Sequence, residues 1–314
     1  WDRETTKLSG GQQVRLVLAG ALASKAKVLL LDAPMQELDP QGRSDFMEAL
    51  LNLRRESPTT IVVADPFWEK LVHHIDRVLL LEEGRSEKNL SSSSFFTEEY
   101  LSLCNMETVR LPYFSAAVGN TVAEMQGVEV VLEGNLILKG VDFSLREGEL
   151  VAVVGPNGSG KTTAMLTLAG AIKPSKGRVK TSGRPGYVFQ NAALQILAMT
   201  VEEELAFGPK VLKWGQEKTR TFVENGLSWT GLPPLSCPLD IHPGDQRSLA
   251  IASSVTEVAT LILDEPTIGL DSSGVRKVIE LIDSLRKEGK GVVVITHDEL
   301  LADRADRVIT IEKG

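Results

Sequence analysis

Only two cysteines stand in the 314 residues, Cys104 and Cys237, and neither lies in a CxxC or Cys/His metal spacing. They read as ordinary thiols of a reducing compartment. No run of about 20 apolar residues is present, so no segment reads as a membrane-spanning helix. No secretory pattern is visible. Positive charge is in deficit, with 34 Lys and Arg against 42 Asp and Glu and a net charge of -8. That balance argues against a large nucleic-acid footprint, which needs clustered basic residues, and leaves room only for a small local patch. An initiating methionine is also lacking. The first residue is Trp1, and the expectation is a chain that begins inside a longer protein.

What the sequence does contain is an internal repeat, in a length that suits about two domains. Residues 8–83 resemble residues 241–313, most clearly VLLLDAPMQELDP at 28–40 against TLILDEPTIGLDS at 260–272. An amphipathic helical pattern follows each block. Phe46, Ala49, Leu50 and Leu53 share a face in the first copy, and Val275, Val278, Ile279, Ile282 and Leu285 share one in the second. β-Branched runs at 59–63 and 291–296 come next and read as buried parallel strands. Strand, helix, strand in this order implies right-handed crossovers and a parallel sheet. The second copy is preceded by a long segment, about 126–240, whose counterpart in the first copy would fall before residue 1. The expected organisation is therefore the C-terminal part of a first domain at 1–85, a linker at 86–125 and a nearly complete second domain at 126–314. In the linker, Ser91, Ser92, Ser93 and Ser94 favour a flexible start, and Phe95, Phe96, Tyr100 and Leu101 suggest packing further on.

An apolar strand at Leu150–Val154 runs into Gly155, Pro156, Asn157, Gly158, Ser159, Gly160, Lys161, Thr162 and Thr163, and an apolar helical stretch follows. The spacing is GxxxxGK[ST], in the strand–loop–helix setting that gives the pattern its meaning. Glycines let backbone N–H groups turn inward without Cβ clashes. Those donors and the helix N-terminus cradle anionic oxygens. Lys161 adds a point charge for the β and γ phosphates, and Thr162 a hydroxyl for Mg²⁺. The expected ligands are ATP and Mg²⁺.

Further motifs narrow the class. Leu8, Ser9, Gly10, Gly11 and Gln12 match the signature sequence of ABC ATPases, and Leu263, Asp264, Glu265 and Pro266 match Walker B with the catalytic glutamate. Gly269, Leu270 and Asp271 match the D-loop, His297 the switch histidine, and Gln190 after Tyr187, Val188 and Phe189 the Q-loop. In order and spacing the chain resembles this family over its second domain and its first 85 residues. The resemblance implies an α/β P-loop NTPase fold of the ABC nucleotide-binding type: a mixed sheet with helices and a helical signature subdomain, in one partial and one nearly complete copy. It implies that Thr162, Asp264 and Gln190 serve the Mg²⁺. Glu265 would orient or deprotonate the attacking water, His297 would sense the γ-phosphate, and Gln190 would link the site to a membrane partner. Asp39, the counterpart of Asp271 in the first copy, joins the nucleotide-binding set.

In this family two domains close head to tail, and each ATP lies between the Walker A loop of one and the signature of the other. The first copy keeps the signature but has Ala33 at the glutamate position and Ala64 at the histidine position. The second copy keeps Glu265 and His297, but its signature reads Ile241, His242, Pro243, Gly244 and Asp245. Pro243 removes a donor, and Asp245 adds negative charge. Both sets of faults fall on one composite site. The expectation is one hydrolytic site, pairing residues 155–163 with Ser9, Gly10, Gly11 and Gln12 in the same polypeptide, and one degenerate site. His242 reads as part of a degenerate motif rather than a metal ligand, His73 and His74 as surface residues, and Phe67 with Trp68 as packing. Val130, Val131 and Leu132 occupy the region where the family often places an aromatic under adenine.

The stretch from Tyr187 through Gln190, Asn191 and Gln195 to the VEEELAFGP run at 201–209 resembles ATPases of energy-coupling factor transporters and related cobalt and nickel importers. The Ala192, Ala193 and Leu194 that follow Asn191 depart from that group's usual Pro and acidic residues. The resemblance implies a pseudo-dimeric ATPase, peripheral on the cytoplasmic face of the cell membrane. It would power vitamin or metal-ion import through integral membrane subunits, a coupling protein and a substrate-binding subunit. Two alternatives stay open: a tandem ATPase acting on ribosomes, and a non-hydrolysing scaffold. No residue names the cargo.

Overall fold

The computed structural model describes residues 26–35, 38–56, 59–65, 73–82, 85–91 and 118–312, with Leu71, Phe95 and a few positions between 16 and 23. Ser9, Gly10, Gly11, Gln12, Pro66, Phe67, Trp68, Phe96, Tyr100 and Leu101 lie outside the described residues. The chain divides into two compact units, Trp1–Val109 and Arg110–Gly314. No helix of the described residues is long and apolar enough to cross a membrane.

In the first unit, β1 (Val28–Asp32) pairs in parallel with β2 (Thr60–Ala64), and α1 (Pro40–Glu56) makes the crossover. Asp39 starts this helix by accepting from Gly42 N at 2.7 Å. Phe46, Met47 and Leu50 on α1 pack with Leu29, Met35, Leu38 and Leu71. An antiparallel hairpin, β3 (Arg77–Glu82) and β4 (Arg85–Ser91), follows. Residues 86–91, assigned above to the start of a linker, are thus a strand: Arg77 pairs with Ser91 across six registered positions of β3. Their polar sequence, without apolar alternation, hid the strand from a reading by hydrophobic period.

The second unit has the expected α/β make-up, with strands of both directions shared between two sheets. β5 (Thr121–Leu132), β6 (Asn135–Arg146) and β8 (Lys176–Thr181) form an antiparallel sheet in the order β6-β5-β8. β5 starts five residues before the expected domain boundary at 126. The other sheet is parallel, in the order β12-β7-β11-β10-β9, from β7 (Leu150–Val154), β9 (Gly186–Val188), β10 (Thr260–Asp264), β11 (Gly291–Ile295) and β12 (Arg307–Thr310). β7, β10 and β11 are apolar and buried on both faces, as central strands of a covered parallel sheet should be. Helix α2 (Lys161–Leu168) packs Ala164, Met165 and Leu168 into the core between the sheets.

Three helices form a separate layer: α3 (Val201–Val211), α4 (Gln216–Thr230) and α5 (Pro243–Ser254). Val201, Leu205, Val223 and Leu249 are their shared core. Thr200 caps α3 by accepting from Glu203 N, and Glu202, Glu203 and Glu204 fill its first turn, where the helix dipole favours negative charge. Two helices complete the unit. α6 (Ser272–Lys287) carries Val278, Ile279, Ile282 and Leu285 inward, on the face the sequence period predicts, and α7 (Glu299–Asp303) precedes β12.

Candidate functional site

The strand ends of the parallel sheet converge on one place. β7 delivers the glycine-rich loop, β10 ends on Asp264, β11 ends two residues before His297, and β9 ends two residues before Gln190. Ligands of open α/β sheets sit at such carboxyl ends.

The loop is shaped by backbone that tolerates no side chain. Gly155 has φ 144°, and a Cβ there would lie 2.2 Å from the carbonyl oxygen of Ile311. Gly160 caps α2 at φ 99° with no side-chain acceptor, which leaves the first-turn N–H groups to an incoming anion. Ser159 Oγ is buried with no partner among protein groups. Lys161 is buried, and its Nζ donates to the carbonyl oxygens of Gly155 (2.7 Å) and Pro156 (3.0 Å), directly over the loop. An orphaned hydroxyl, uncapped N–H donors and a positioned ammonium fit the phosphates of a nucleotide. Pro156, Asn157, Gly158 and Thr163 complete the turn into α2.

Two of the three metal-binding candidates, Thr162 and Asp264, are in contact; no contact of the Gln190 side chain with either is seen. Thr162 Oγ1 donates to Asp264 Oδ2 at 3.1 Å, and the hydroxyl of Tyr187 donates to the same oxygen at 3.0 Å. Among the described residues no group of three His, Cys, Asp or Glu forms a metal cage. One carboxylate with a hydroxyl suits Mg²⁺, which keeps waters and takes its remaining ligands from substrate phosphates. Burial pushes the Asp264 carboxyl above its ordinary value, opposed by hydrogen bonds from Tyr187 and Thr162 and by the charges of Lys161 and Arg247. Burial, with the Asp264 carboxylate alongside, also pushes the Tyr187 phenol well above its usual range, so Tyr187 stays a donor.

Glu265 lies next to this pair in a left-handed backbone, φ 49°, held by its N–H to the Ile295 carbonyl at 2.9 Å. Such a conformation in a non-glycine residue stores strain of the kind found at working sites. The carboxylate is buried, accepts from His297 N at 3.3 Å and lies 3.7 Å from His297 Nε2. That nitrogen also meets Asn157 Oδ1 at 3.3 Å. Glu265 and His297 are therefore one cluster touching the phosphate loop. Gln190 is exposed, and its carbonyl accepts from Arg247 Nη2 at 2.5 Å. Arg247 is buried on α5, its pKa lowered by burial against the opposing pull of Glu265 and Asp264.

Ala33 repeats the kink of Glu265, with φ 44° and an N–H to the Ala64 carbonyl at 2.7 Å. The conformation thus belongs to the repeated strand pair, and only the carboxylate is missing. The register corrects one assignment. Asp32 pairs with Ala64 as Asp264 pairs with Ile295, so the counterpart of His297 is Pro66, two residues beyond Ala64. Proline, like alanine, offers no imidazole nitrogen, and its own nitrogen carries no N–H. Asp39 caps α1 as Asp271 caps α6 through Gly274 N at 2.7 Å.

At the second signature, His242 is the N-cap of α5. Its Nδ1 accepts from Gly244 N at 3.1 Å, with Pro243 at the first helical position. Of the donors a signature could aim at a phosphate, proline has removed one and the His242 ring occupies another. His242→Ala is expected to lower unfolding free energy by about 1 kcal/mol, the usual cost of a lost cap, measured by urea denaturation. His73 and His74 are exposed, as their sequence setting suggests. Val130 is buried, while Val131 and Leu132 are exposed at the end of β5, where they offer an aliphatic rather than aromatic surface.

Three residues acquire roles that sequence reasoning did not assign: Tyr187, Arg247 and Gln195. Gln195 Nε2 donates to the Tyr187 carbonyl (3.1 Å) and Ser254 Oγ (2.8 Å), and its Oε1 accepts from Phe189 N (3.1 Å). It stands in for a neighbouring strand at the edge of β9. Only strand alternation, which puts Tyr187 and Phe189 on one face, hinted at any of this.

Fold and site together define a P-loop nucleotide-binding protein. The family model for ABC transporter matches residues 1–36 and 138–268, more than half of the chain, and the protein belongs to that family. YkoD of Bacillus subtilis, an ATP-binding protein named for HMP/thiamine import, is 30% identical over 358 residues, covering 99% of this chain and 65% of its own length. An energy-coupling factor transporter ATP-binding protein of Methanospirillum hungatei is 38% identical over 196 residues, 56% of this chain and 49% of its own. Among solved structures, a dimeric post-hydrolysis state of the ATP-binding cassette MJ0796 bound to ADP and Pi aligns with TM-score 0.55 and 26% identity, over 61% of this chain and 95% of that one. The chain spans just under two thirds of the length of curated relatives that it matches, 65%, 62% and 66% for three of them.

Proposed function

We propose that this chain is the ATP-binding and hydrolysing part of an importer of the energy-coupling factor type, moving a vitamin or a metal ion. The observation that carries the hydrolytic reading is the contact of Glu265 with His297, and of His297 with Asn157 of the phosphate loop. A base, a γ-phosphate sensor and a phosphate cradle then share one cluster beside the Thr162–Asp264 pair. The import reading rests on the stretch from Tyr187 to Pro209 and is supported by the names of the relatives from B. subtilis and M. hungatei.

The proposed reaction needs Mg²⁺ at Thr162 and Asp264, with Gln190 proposed as a further ligand, where it would neutralise phosphate charge. Lys161 binds the β and γ phosphates, Ser159 and the loop N–H groups fix them, and Glu265 takes a proton from the attacking water. Ser9, Gly10, Gly11 and Gln12, an intact signature, would complete the γ-phosphate enclosure in the head-to-tail arrangement of the family. The signature that begins at Ile241 would complete a second site poorly, because His242 and Pro243 consume its donors. The two halves then work as a pseudo-dimer with one productive site. The protein would sit peripherally on the cytoplasmic face of the membrane, bound to a coupling protein and, through it, a substrate-binding subunit.

Lys161→Ala is expected to weaken ATP binding about 10–100-fold, the loss of one charge-assisted contact in a buried site, read by equilibrium dialysis of the full-length protein. Affinity purification from detergent-solubilised membranes tests the transport assignment. Recovery of an integral membrane protein in stoichiometric yield supports it. Ribosomes recovered instead would establish the soluble tandem alternative, and undetectable turnover with intact ATP binding the scaffold.

A further inference from the structure

Tyr187 reaches the carboxylate on which metal binding depends, and it does so from a rigid position. β9 is three residues long and lies at the edge of the parallel sheet, with Tyr187 in register with Ile262 of β10. Its hydroxyl extends past the next positions of that strand to Asp264 Oδ2. Gln195 bonds the outer edge of β9 on both sides of residue 188, and the Tyr187 ring packs on Phe189 with centroids 5.0 Å apart. The phenol therefore has little freedom to leave.

Asp264 Oδ2 accepts two hydroxyl donors, Thr162 and Tyr187. A hydroxyl gives Mg²⁺ an oxygen lone pair and keeps its O–H to donate, so Thr162 and Tyr187 can both stay on Oδ2 with nucleotide bound, and Tyr187 is the donor that does not also ligate the metal. The carboxylate torsion of aspartate is broad and roughly two-fold, and one bond from a fixed phenol is enough to select a rotation. We propose that Tyr187 is a positioning residue, holding the Asp264 carboxylate in the orientation that serves Mg²⁺ in the nucleotide complex; this rests on the reading of Asp264 as the metal-binding carboxylate. The role separates Tyr187 from ordinary core aromatics, because the hydroxyl matters and the ring alone does not suffice.

Tyr187→Phe keeps the ring and its contact with Phe189. The measurement is Mn²⁺ affinity by electron paramagnetic resonance on the full chain with a non-hydrolysable ATP analogue, beside analogue affinity in EDTA. The expected result is Mn²⁺ binding weakened about tenfold, the scale of one hydrogen bond to a charged acceptor, with metal-free nucleotide affinity unchanged to about twofold. Unchanged Mn²⁺ affinity overturns the proposal, as does an equal loss with and without metal, which marks a packing role. A wild-type chain that binds the analogue but no Mn²⁺ overturns both this inference and the hydrolytic reading. If the Phe variant does not fold, 3,5-difluorotyrosine at position 187 keeps the shape and sharpens the donor. A shift of Mn²⁺ affinity of about threefold or more supports the role, and no shift overturns it.

Discussion

Replacing Glu265 by glutamine is expected to lower steady-state ATP turnover of the full-length protein by about 10²–10⁴-fold, the range for loss of a general base, with ATP binding preserved. Glutamine has nearly the same shape and keeps one acceptor oxygen for His297 N, which now lies 3.3 Å from Glu265 Oε2. The left-handed backbone at residue 265 is held by Ile295 and the strand pair, as the same geometry at Ala33 demonstrates, and is independent of the carboxylate. The phosphate loop, Lys161 and the Thr162–Asp264 bond are untouched. What is lost is the carboxylate proposed to take the water's proton. The prediction also discriminates between one productive site and two. If the site carrying Ala33 and Pro66 hydrolysed ATP, about half of the turnover would survive. Phosphate release under saturating ATP gives the answer, and a residual rate near half of wild type would overturn the one-site reading.

The parts of this site visible in the sequence are those built from consecutive residues. Residues 155–163 carry their own geometry, because glycine spacing after an apolar strand dictates the turn, and β7 ends where the sequence says it should. The face of α6 was legible from its period, since Val278, Ile279, Ile282 and Leu285 need only one element to be recognised. The contacts that turn these motifs into a site were not legible. Tyr187 and Asp264 are 77 positions apart, His297 and Asn157 are 140 apart, and each pair depends on strand order in the sheet. Strand order follows from the whole core and leaves no local pattern. Pro66 illustrates the same limit at close range. The sequence repeat alone sets Ala64 opposite His297, and only the β1–β2 register, compared with β10–β11, moves the equivalence two residues on. β4 was missed for another reason: RSEKNLS has no apolar alternation, and its pairing with β3 alone makes it a strand.

The same sheet geometry supports a second large effect, on stability. Arg286, near the end of α6, is almost fully buried, with its side chain 1% exposed. Its Nη2 donates to Asp306 Oδ2 at 2.6 Å and its Nε to the Gly148 carbonyl at 2.9 Å. Asp306 Oδ2 also accepts from Leu150 N at 2.8 Å. One carboxylate thus fastens α6 to the first residue of β7, just before β12. Asp306→Ala leaves a buried guanidinium short of its nearest counter-charge and strips Leu150 N of its acceptor. Removing one partner of a buried pair costs about 3–5 kcal/mol. Asp283 remains 3.8 Å from Arg286 and is shared with Arg304 at 3.0 Å, which places the expected loss near the lower end, about 3 kcal/mol. For a unit of this size that is a fall in melting temperature of roughly 6–12 °C. Arg286→Met should cost less. The methionine fills much of the space, and the remaining Asp306 carboxylate, 19% exposed, reaches water while still accepting from Leu150 N. Calorimetry of both variants tests the order as well as the size, and a larger loss for Arg286→Met would show that packing, rather than the uncompensated charge, holds α6 in place. The effect extends to the site because β7 ends at Val154, next to Gly155, and Val154 pairs with Thr310 of β12. The carbonyl of Ile311, one residue on, fills the space a Gly155 side chain would need. Asp306 therefore anchors one end of the strand whose other end shapes the phosphate loop.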